Sequence, residues 1–369
     1  MENKKIKGSG GKILVGALTL AAFFLILCSS DVAIEYMKKG LVLCSSTVIP
    51  SLFPFMVISE LIVSSGIGIS ISRILRRPMR KLFGVSEAGA AAFLLGTVCG
   101  FPIGAATAAS MQDKGIISKS ELEHILIFCN NPGSAFVISA VGASLFGNKS
   151  LGLLLYTSVI LSSVIIGIAG RLLLPKCNTD AATVTLTAPS QSFTSRLTDA
   201  IRSSAISMLT VCAYILFFSA FVGCIGDLLE RFALSEEIRA VVFGLFELSS
   251  GVKAASTTQE PVVAVVLSAL FLGWSGMSVH MQIMSVCSGR GISFKPYFIA
   301  KVAQGLISAT LTYCAIRLFF PELASFPLGT FAPSYNPLFG GICAISTAFF
   351  IACAIFSMFD WLCKRKNKK

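Results

Sequence analysis

The amino-acid sequence predicts an all-α, polytopic membrane protein with about ten hydrophobic segments, several of them broken or re-entrant. Hydrophobic residues make up 54% of the chain and charged residues 13%, about half the charged fraction of an ordinary soluble domain. One water-soluble core cannot bury that much apolar surface in 369 residues, so a bilayer is the expected solvent. The apolar residues also fall into runs of about 20, the length of a bilayer-crossing helix.

The basic residues that give the net charge of +12 lie mainly at the ends of apolar segments. Three clusters, at 4–12, 73–81 and 364–369, flank predicted spans. Lys and Arg beside spans mark the cytoplasmic side, so both termini of a multi-pass membrane protein are expected in the cytoplasm. The pattern indicates a lipid bilayer as partner and argues against a nucleic acid.

The twelve cysteines lie mostly inside apolar stretches and form no C-x-x-C pair. We therefore expect these cysteines to be small packing residues and not ligands of a metal site or members of a disulfide framework. The apolar run from Ile13 to Cys28 follows lysines, as in a signal peptide, but Leu27 stands where a lipoprotein site needs a small residue. We therefore expect a retained first span. No cofactor is predicted, and a coupling cation, Na⁺ or H⁺, stays open.

Ten apolar runs define the expected organisation. They are 13–29, 41–65, 86–110, 122–146, 150–174, 204–228, 238–256, 261–286, 297–319 and 337–361. The longest polar stretch divides the chain into halves of about four segments each. The predicted units are an N-terminal span at 1–30, a first repeat at 31–175, a polar linker at 176–203, a second repeat at 204–320 and a C-terminal span with a basic tail at 321–369.

Two sequence elements of the first half have weak echoes in the second half. GTVCGFPIGAA at 96–106 corresponds to GLFELSSGVKAA at 244–255, and CNNPGSAF at 129–136 corresponds to GWSGMSVHMQ at 273–282. Both pairs come in the same order and at a comparable spacing, which indicates an internal repeat. Interrupted segments at corresponding places in two halves are the best sequence indication of a transporter binding site.

Charge counting favours an inverted relation between the halves. With ten full crossings, the loop 176–203 would be external, with three basic residues on the wrong side. If 86–110 and 238–256 are re-entrant instead, this loop becomes cytoplasmic and the two halves start on opposite sides of the membrane. The sequence therefore predicts an inverted repeat with two re-entrant segments.

The first break supplies three candidate substrate-binding residues, Gly100, Pro102 and Gly104. A broken helix frees backbone N–H and C=O groups at membrane depth, which is tolerated only inside protein or beside a wet cavity. Pro102 cannot donate a hydrogen bond, and the two glycines let other backbone approach. Gly96, Gly100 and Gly104 also form a small-xxx-small ladder, so helix packing is the alternative function of these residues.

The second break, Asn130-Asn131-Pro132-Gly133-Ser134, is the more specific signal. Two adjacent amides in an apolar segment are costly unless they are paired, and a Pro-Gly turn follows at once. Ser134 is expected to cap a new half-helix, whose N-terminus favours an anionic group. These residues are predicted to bind substrate or an ion, with a structural turn at the membrane surface as the alternative.

The candidate site of the second half combines charged and hydroxyl side chains. An ionisable residue inside a span indicates a functional site, so Glu247 is expected to bind a coupling cation or a proton, or to pair with Lys253 across a break at Gly251. Lys253 is expected to receive a substrate carboxylate, and His280 is either a relay or a packing residue. The full set is Glu247, Ser250, Gly251, Lys253, Ser275, Gly276, Ser278 and His280.

Several of these elements resemble the YlbJ family, also called SpoVV, of bacterial sporulation membrane proteins with a nucleoside-recognition gate domain. PSLFPFMVISELIVSSG at 50–66, GFPIGA, CNNPGSAF and FELSSG carry the resemblance, which extends over nearly the whole chain. It implies two gate-like repeats related to those of concentrative nucleoside transporters, whose paired re-entrant hairpins hold the solute. It also implies a protein of the bacterial cell membrane that transports dipicolinic acid across the outer forespore membrane. The matching positions are Gly100, Pro102, Gly104, Asn130, Asn131, Pro132, Gly133, Glu247 and Gly251.

The predicted function is therefore membrane transport of a small anionic solute, most specifically dipicolinic acid. A nucleoside or other metabolite symporter is the alternative within transport, and a non-transporting scaffold of spore assembly is the alternative from another class. An enzyme is not expected, because the sequence has neither H-E-x-x-H nor G-x-S-x-G and only two histidines. Whether the protein forms an oligomer stays open.

Overall fold

The computed structural model describes residues 16–17, 19–64, 75–175, 192–232, 234–319 and 321. All regular secondary structure in these ranges is helical. The helices are α1 Thr19–Cys28, α2 Ser30–Leu43, α3 Ile49–Ser64, α4 Arg76–Phe83, α5 Ala88–Val98, α6 Ile103–Asp113, α7 Lys119–Cys129, α8 Phe136–Leu145, α9 Lys149–Leu173, α10 Phe193–Arg231, α11 Glu236–Phe246, α12 Leu248–Ser256, α13 Pro261–Trp274, α14 Gly276–Val286 and α15 Lys295–Phe319. The predicted span 337–361 and most of the linker 176–203 lie outside the described residues.

Helix length and composition give fewer candidate spans than the sequence predicts. Four stretches are long and apolar enough to cross a bilayer, namely α9, α10, α13 with α14, and α15. Two pairs of helices, bent by 94° after Cys28 and by 90° after Phe83, raise the number to six if each pair is one span. The count of ten stays a prediction, because several of the predicted segments fold as two short helices joined at a break.

The long helices expose apolar side chains and bury polar ones. Along α15, Lys301 and Gln304 are both 0% exposed, whereas Ile299 is 71% exposed. In a water-soluble helix the polar side chains would face outwards. Other exposed large hydrophobic residues of α9, α10 and α15 are Leu172, Leu173, Ile206, Leu209, Leu306 and Leu318. This distribution fits helices whose outer surface faces lipid.

Helices α2 and α3 form one long helical stretch that runs antiparallel to α10. A π-helical turn, Cys44–Val48, joins them without a break in the helical backbone. Contacts in order along α2 and α3 join Ser29 to Asp227, Gly40 to Ser219, and Cys44 and Met56 to Cys212 and Met208. The residue numbers rise along one partner as they fall along the other, so the two long helices point in opposite directions.

Both segments predicted to be re-entrant fold as helical hairpins. Residues seven or eight positions apart in one continuous helix are separated by about 10–12 Å along its axis. A Cβ placed on Gly251 would lie 2.2 Å from the Cα of Gly244, and one on Gly96 would lie 2.9 Å from the Cα of Gly104. The chain therefore doubles back between α5 and α6, and again between α11 and α12.

A broken helix follows each hairpin. Helix α7 ends at Asn130, whose backbone is extended with φ −101° and ψ 93°, and α8 follows the break. Helix α13 ends at Ser275, which adopts the left-handed conformation with φ 80°, and α14 starts at the next residue. A 25-residue helix, α9 or α15, then completes each half.

The described elements thus repeat in the same order. Each half contains a long helical stretch, a hairpin, a broken helix and a second long helix. The first members of the two series, α2 with α3 and α10, are antiparallel. The leading elements of the two halves thus have opposite directions, whereas the inverted repeat itself stays a prediction.

Candidate functional site

The two breaks of the first half lie directly against each other. Gly100 has a φ of +93°, a conformation that L side chains rarely adopt. A Cβ at this position would lie 2.5 Å from the backbone nitrogen of Gly133. Pro102, which follows a cis peptide bond, is buried beside them. The motifs CGFP and NNPG therefore allow two backbone segments to approach each other closely.

The end of α7 packs against Gly96 and Gly104 of the first hairpin. A Cβ on Gly96 would lie 1.9 Å from the carbonyl oxygen of Cys129, and a Cβ on Gly104 would lie 2.3 Å from the same oxygen. These two glycines therefore serve the packing of α5, α6 and α7, which is the alternative that the sequence left open. Gly100 differs from them, because it lies in the break itself.

Asn130 and Asn131 are buried inside the protein rather than placed in a surface turn. The side-chain amide of Asn130 donates to the carbonyl of Leu126 at 3.0 Å, and that of Asn131 donates to the carbonyl of Phe128 at 3.1 Å. Both amides thus satisfy carbonyl groups that the end of α7 leaves without intrahelical partners. The Oδ1 atom of Asn130 is buried and has no hydrogen-bond partner among the described residues.

Two polar residues of α15 complete this break, and the sequence reasoning missed both. The ammonium of Lys301 donates to the backbone oxygen of Asn130 at 3.0 Å and to Oε1 of Gln304 at 2.8 Å. The amide of Gln304 donates to Oδ1 of Asn131 at 2.8 Å. The available signal was a lysine and a glutamine inside the apolar segment 297–319, since a charge inside a span indicates function by default.

Ser134 has a different role from the predicted helix cap. Its hydroxyl donates to the carbonyl of Val98 at 3.2 Å, which joins the start of α8 to the end of α5. The helical turn already begins at Gly133, whose carbonyl accepts from the amide of Val137 at 3.1 Å. Because Ser134 lies inside that turn, its side chain cannot cap it. The prediction of a cap at this residue is wrong.

The second hairpin turns at Glu247 and not at Gly251. The backbone of Glu247 is extended, and its carboxylate accepts from the backbone N–H groups of Ser249 at 3.0 Å and Ser250 at 2.6 Å. Glu247 is thus the N-terminal cap of α12. Gly251 lies inside α12 against Gly244. The predicted break at Gly251 is wrong, because a capping carboxylate starts the second helix four residues earlier.

This cap changes the expected roles of two charged residues. The carboxylate of Glu247 occupies the N-terminus of α12, so this helix end does not offer its N–H groups to a solute carboxylate. The ion pairs of the described residues do not include Lys253, which is exposed, so the predicted alternative of a Glu247–Lys253 pair is not found. Lys253 is therefore available to a solute, whereas the carboxylate of Glu247 is already engaged.

The break between α13 and α14 contacts the turn of the second hairpin. A Cβ on Gly276 would lie 3.0 Å from the backbone nitrogen of Leu248. The hydroxyl of Ser275 is fully buried and has no hydrogen-bond partner among the described residues. Ser278 accepts a long hydrogen bond of 3.4 Å from the amide of Gln282. As in the first half, the two breaks of the second half thus meet.

His280 lies in an aromatic environment. Its Nδ1 is 2.7 Å from the hydroxyl of Tyr297. The ring centroids of Trp274, Tyr297 and Phe298 lie 4.3–5.4 Å from that of the imidazole. His280 is 0% exposed and lines neither of the cavities described next. This environment fits the packing alternative for the histidine.

The larger cavity, here cavity A, has a volume of about 620 Å³. It lies among α2, α8, α10, α11 and α12. Its ionisable lining residues are Lys39, Arg239, Lys253, Glu236 and Glu247, and its aromatic ones are Tyr36, Phe136 and Phe243. Cavity A therefore offers both charged groups and aromatic faces.

Two of the three cations of cavity A already have carboxylate partners. Lys39 pairs with Glu35 at 2.6 Å, and Arg239 pairs with Glu230 at 3.0 Å. Lys253 is the cation of this cavity that has no ion pair among the described residues. An anion that enters cavity A would therefore find its free positive charge at Lys253.

A second cavity, cavity B, has a volume of about 350 Å³ and lies among α3, α6, α10 and the end of α14. Two ion pairs lie at its edge. Lys114 binds Glu60 at 3.0 Å, and Arg290 makes two hydrogen bonds to the carboxylate of Asp113. Its serine lining consists of Ser59, Ser110, Ser203, Ser204 and Ser207.

The two cavities have corresponding walls. Cavity A is lined by the second arm of the second hairpin and by α8 of the first half, whereas cavity B is lined by the second arm of the first hairpin and by the end of α14. Ser207 and Ser219 mark the two cavities on α10, twelve positions apart, which is about 18 Å. Cys99 of the first break packs in one cluster with Cys212, between these levels. Along α10, this cluster therefore reaches a level between those of the two cavities.

Few of the predicted site residues line a cavity. Glu247, Ser250 and Lys253 line cavity A. The remaining predicted residues form the contacts of the breaks and hairpins instead, namely Gly100, Pro102, Gly104, Asn130, Asn131, Pro132, Gly133, Ser134, Gly251, Ser275, Gly276, Ser278 and His280.

Comparison with curated proteins gives a relative over most of the chain. The chain is 30% identical to the sporulation integral membrane protein YlbJ of Bacillus subtilis (strain 168), in an alignment that covers 80% of this chain and 81% of the relative. The chain belongs to the YlbJ family. This relationship confirms the family resemblance that GFPIGA and CNNPGSAF indicated. It also confirms that the chain is an integral membrane protein.

Two further comparisons gave no match. No family model matches the chain, and no solved structure matches it.

Proposed function

We propose that this YlbJ-family protein transports a small anionic solute across the membrane, with dipicolinic acid as the first substrate to test. The observation that carries the proposal is the pair of cavities with corresponding walls, which lie at two levels of α10 with the buried cluster of Cys99 and Cys212 between these levels. A transporter needs a solute site that opens alternately to each side, and repeats of opposite direction are a recurrent way to build one.

The charge of cavity A supports an anionic solute. Lys253 has no ion pair among the described residues, while Glu247 is engaged as a helix cap. A carboxylate that leaves water for a protein cavity loses hydration, and a nearby ammonium offsets this cost. Ser249 and Ser250 line the same wall of cavity A and supply hydroxyl groups that can orient the solute.

Dipicolinic acid fits the shape and the chemistry of this cavity. It is a flat aromatic dianion, and cavity A combines Lys253 with the aromatic rings of Tyr36, Phe136 and Phe243. A volume of about 620 Å³ is ample for one such ring, since small-molecule sites measure about 300–1,000 Å³. The relative is named as a sporulation protein, which directs the first test to a solute of spores and the proposed localisation to the outer forespore membrane.

A nucleoside or other metabolite symporter is the second candidate, and the aromatic wall of cavity A favours it. Tyr36, Phe136 and Phe243 can stack on a planar base as well as on a pyridine ring. A scaffold of spore assembly would need packing surfaces but no cavities with corresponding walls. We propose neither a scaffold nor an enzyme.

Uptake into vesicles tests the proposal. The purified protein, reconstituted in lipid vesicles, is expected to take up labelled dipicolinate faster than protein-free vesicles, with unlabelled dipicolinate as an effective competitor. Inhibition by nucleosides, together with uptake of a labelled nucleoside, would favour the second candidate. Uptake no faster than in protein-free vesicles, in a sample that retains its helical circular dichroism, would contradict transport of either solute.

A further inference from the structure

The Asn130–Asn131 break contacts a buried lysine of α15, Lys301, that the proposed transport path does not use. Lys301 is 0% exposed and lines neither cavity A nor cavity B. Its ammonium donates to the backbone oxygen of Asn130 at 3.0 Å and to Oε1 of Gln304 at 2.8 Å. The ion pairs of the described residues do not include Lys301. Within the described ranges, only neutral oxygen atoms, and no carboxylate, thus contact the buried ammonium of Lys301. Burial of a charge costs free energy, so a function that offsets this cost is expected.

The oxygen atoms around this ammonium form the kind of site that a metal cation would take. Helix α7 ends at the break, and the C-terminal end of a helix carries partial negative charge. Asn130 contributes its backbone oxygen, and its Oδ1 is buried without a hydrogen-bond partner among the described residues. Gln304 adds Oε1. In broken-helix transporters such freed carbonyls and helix ends bind the coupling cation.

The neighbours of Lys301 supply no competing negative charge. Helix α13 carries no ionisable side chain, and those of α9 are Lys149, Tyr156 and Arg171. The phenol of Tyr156 donates to the carbonyl of Thr97 at 3.0 Å. The titratable groups on the facing ends of α7 and α14 are Cys129 and His280, and Tyr297 lies one turn before Lys301 on α15. Neutral oxygen atoms are thus the direct partners of the ammonium.

We propose that Lys301 is a tethered cation, which fills an oxygen-lined cation site at the Asn130–Asn131 break and holds the break in place without a metal ion. The site itself stands on geometry alone, and only its consequence for coupling rests on the proposed function. That consequence is uptake that does not require Na⁺, because the position of the coupling cation is already occupied. Lys301 is a positioning residue in this proposal, since it contacts the break and not the solute.

Chemical rescue tests the site without any solute. Lys301→Ala removes the ammonium, so the melting temperature of the purified protein is expected to fall and to rise again when methylammonium is added. Tetramethylammonium, which has the charge but no N–H donor, is expected to have no such effect. Lys295→Ala on the same helix is the matched control, because Lys295 is exposed. Absence of rescue, or equal stabilisation of wild type and Lys295→Ala by methylammonium, would overturn the proposal.

A second variant covers the case in which Lys301→Ala does not fold. Lys301→Gln keeps an N–H donor but removes the charge. Its uptake of dipicolinate is expected to fall about tenfold or more, because hydrogen bonds from a charged donor become weaker neutral ones. A melting temperature and an uptake rate equal to those of wild type would show that no cation is needed, and the proposal would be overturned.

The two proposals can fail separately. Methylammonium rescue with no uptake of any solute by wild type would remove the proposed transport and leave the tethered cation. Robust wild-type uptake that depends on Na⁺, or uptake without rescue in the variant, would remove the tethered cation and leave transport.

Discussion

The side-chain amide of Gln304 donates to Oδ1 of Asn131 at 2.8 Å, although 173 positions separate the two residues. Both side chains are 0% exposed. This contact joins the last described long helix of the second half to the break in the first half. Together with Lys301 it links the two halves through a polar network inside a largely apolar protein.

We expect Gln304 and Asn131 to act as a pair. Gln304→Leu leaves Oδ1 of Asn131 buried without its donor, which costs about 1–3 kcal/mol of unfolding free energy. The double variant with Asn131→Leu is expected to cost less than the sum of the two single variants, because neither polar group is then left alone. Unfolding in detergent measures each term. Thr310→Val, exposed on the same helix, is the control, and strictly additive effects would contradict the pairing.

Proline and glycine explain why the breaks at 99–104, 130–133 and 273–276 could be located from sequence. Pro102 and Pro132 lack an N–H donor, and Gly100 and Gly276 adopt φ values of +93° and +77°, which other residues rarely adopt. These are local properties of the chain. Local residue types therefore predicted where helices stop, and the structure has a break at each of these places.

Contacts between distant parts of the chain explain which features could not be predicted from the sequence. The turn at Glu247 is a local exception: it has no proline or glycine at its centre, and it forms because a carboxylate caps the following helix. Lys301 was visible as a lysine in an apolar segment, but its partner Asn130 is 171 positions away. The cavities are likewise formed by elements of both halves. Such relations follow from packing and not from periodicity or motif spacing.

Lys253 is expected to decide the charge preference of transport. Lys253→Gln should lower dipicolinate uptake about tenfold or more, because a charge-assisted contact of roughly 1.5–3 kcal/mol is lost. Uptake of a neutral nucleoside, where it is measurable, should change little. Lys39→Gln is the matched variant, since Lys39 lines the same cavity but already pairs with Glu35. A similar loss of uptake for the dianion and the neutral solute would indicate that Lys253 stabilises the hairpin and does not select the charge of the solute.

The second hairpin is expected to tolerate no side chain at Gly251. A Cβ there would lie 2.2 Å from the Cα of Gly244, so Gly251→Ala must separate α11 from α12. Overpacking of this kind costs about 1–3 kcal/mol, visible as a lower melting temperature and as lost uptake. Ser249→Ala, at a half-buried position of the same helix, should change stability by less than about 0.5 kcal/mol. Equal stability of the two variants would contradict the close packing of the hairpin.

The Asp113–Arg290 pair is expected to hold cavity B closed. It joins α6 to the residues that follow α14, and exposed ion pairs are worth about 0–1 kcal/mol. Asp113→Asn should therefore raise the rate at which a thiol reagent labels Ser204→Cys by at most about fivefold. Asp227→Asn, which removes the partner of Arg231 at the other end of α10, should leave that rate unchanged. No acceleration by Asp113→Asn would show that this pair does not restrict entry.

The two cavities are expected to open to opposite sides of the membrane. Ser204 lines cavity B and Ser249 lines cavity A. Helix α10 begins within the linker 176–203, which the positive-inside rule places in the cytoplasm. In a cysteine-free background, Ser204→Cys should react with an impermeant maleimide from the cytoplasmic side, and Ser249→Cys should react from the opposite side. Inverted and right-side-out vesicles provide both directions, and a cysteine at exposed Lys295 reports on reagent access. Labelling of both sites from one side would contradict the predicted inverted relation between the halves. It would also remove the argument for alternating access, because both cavities would then belong to a single vestibule.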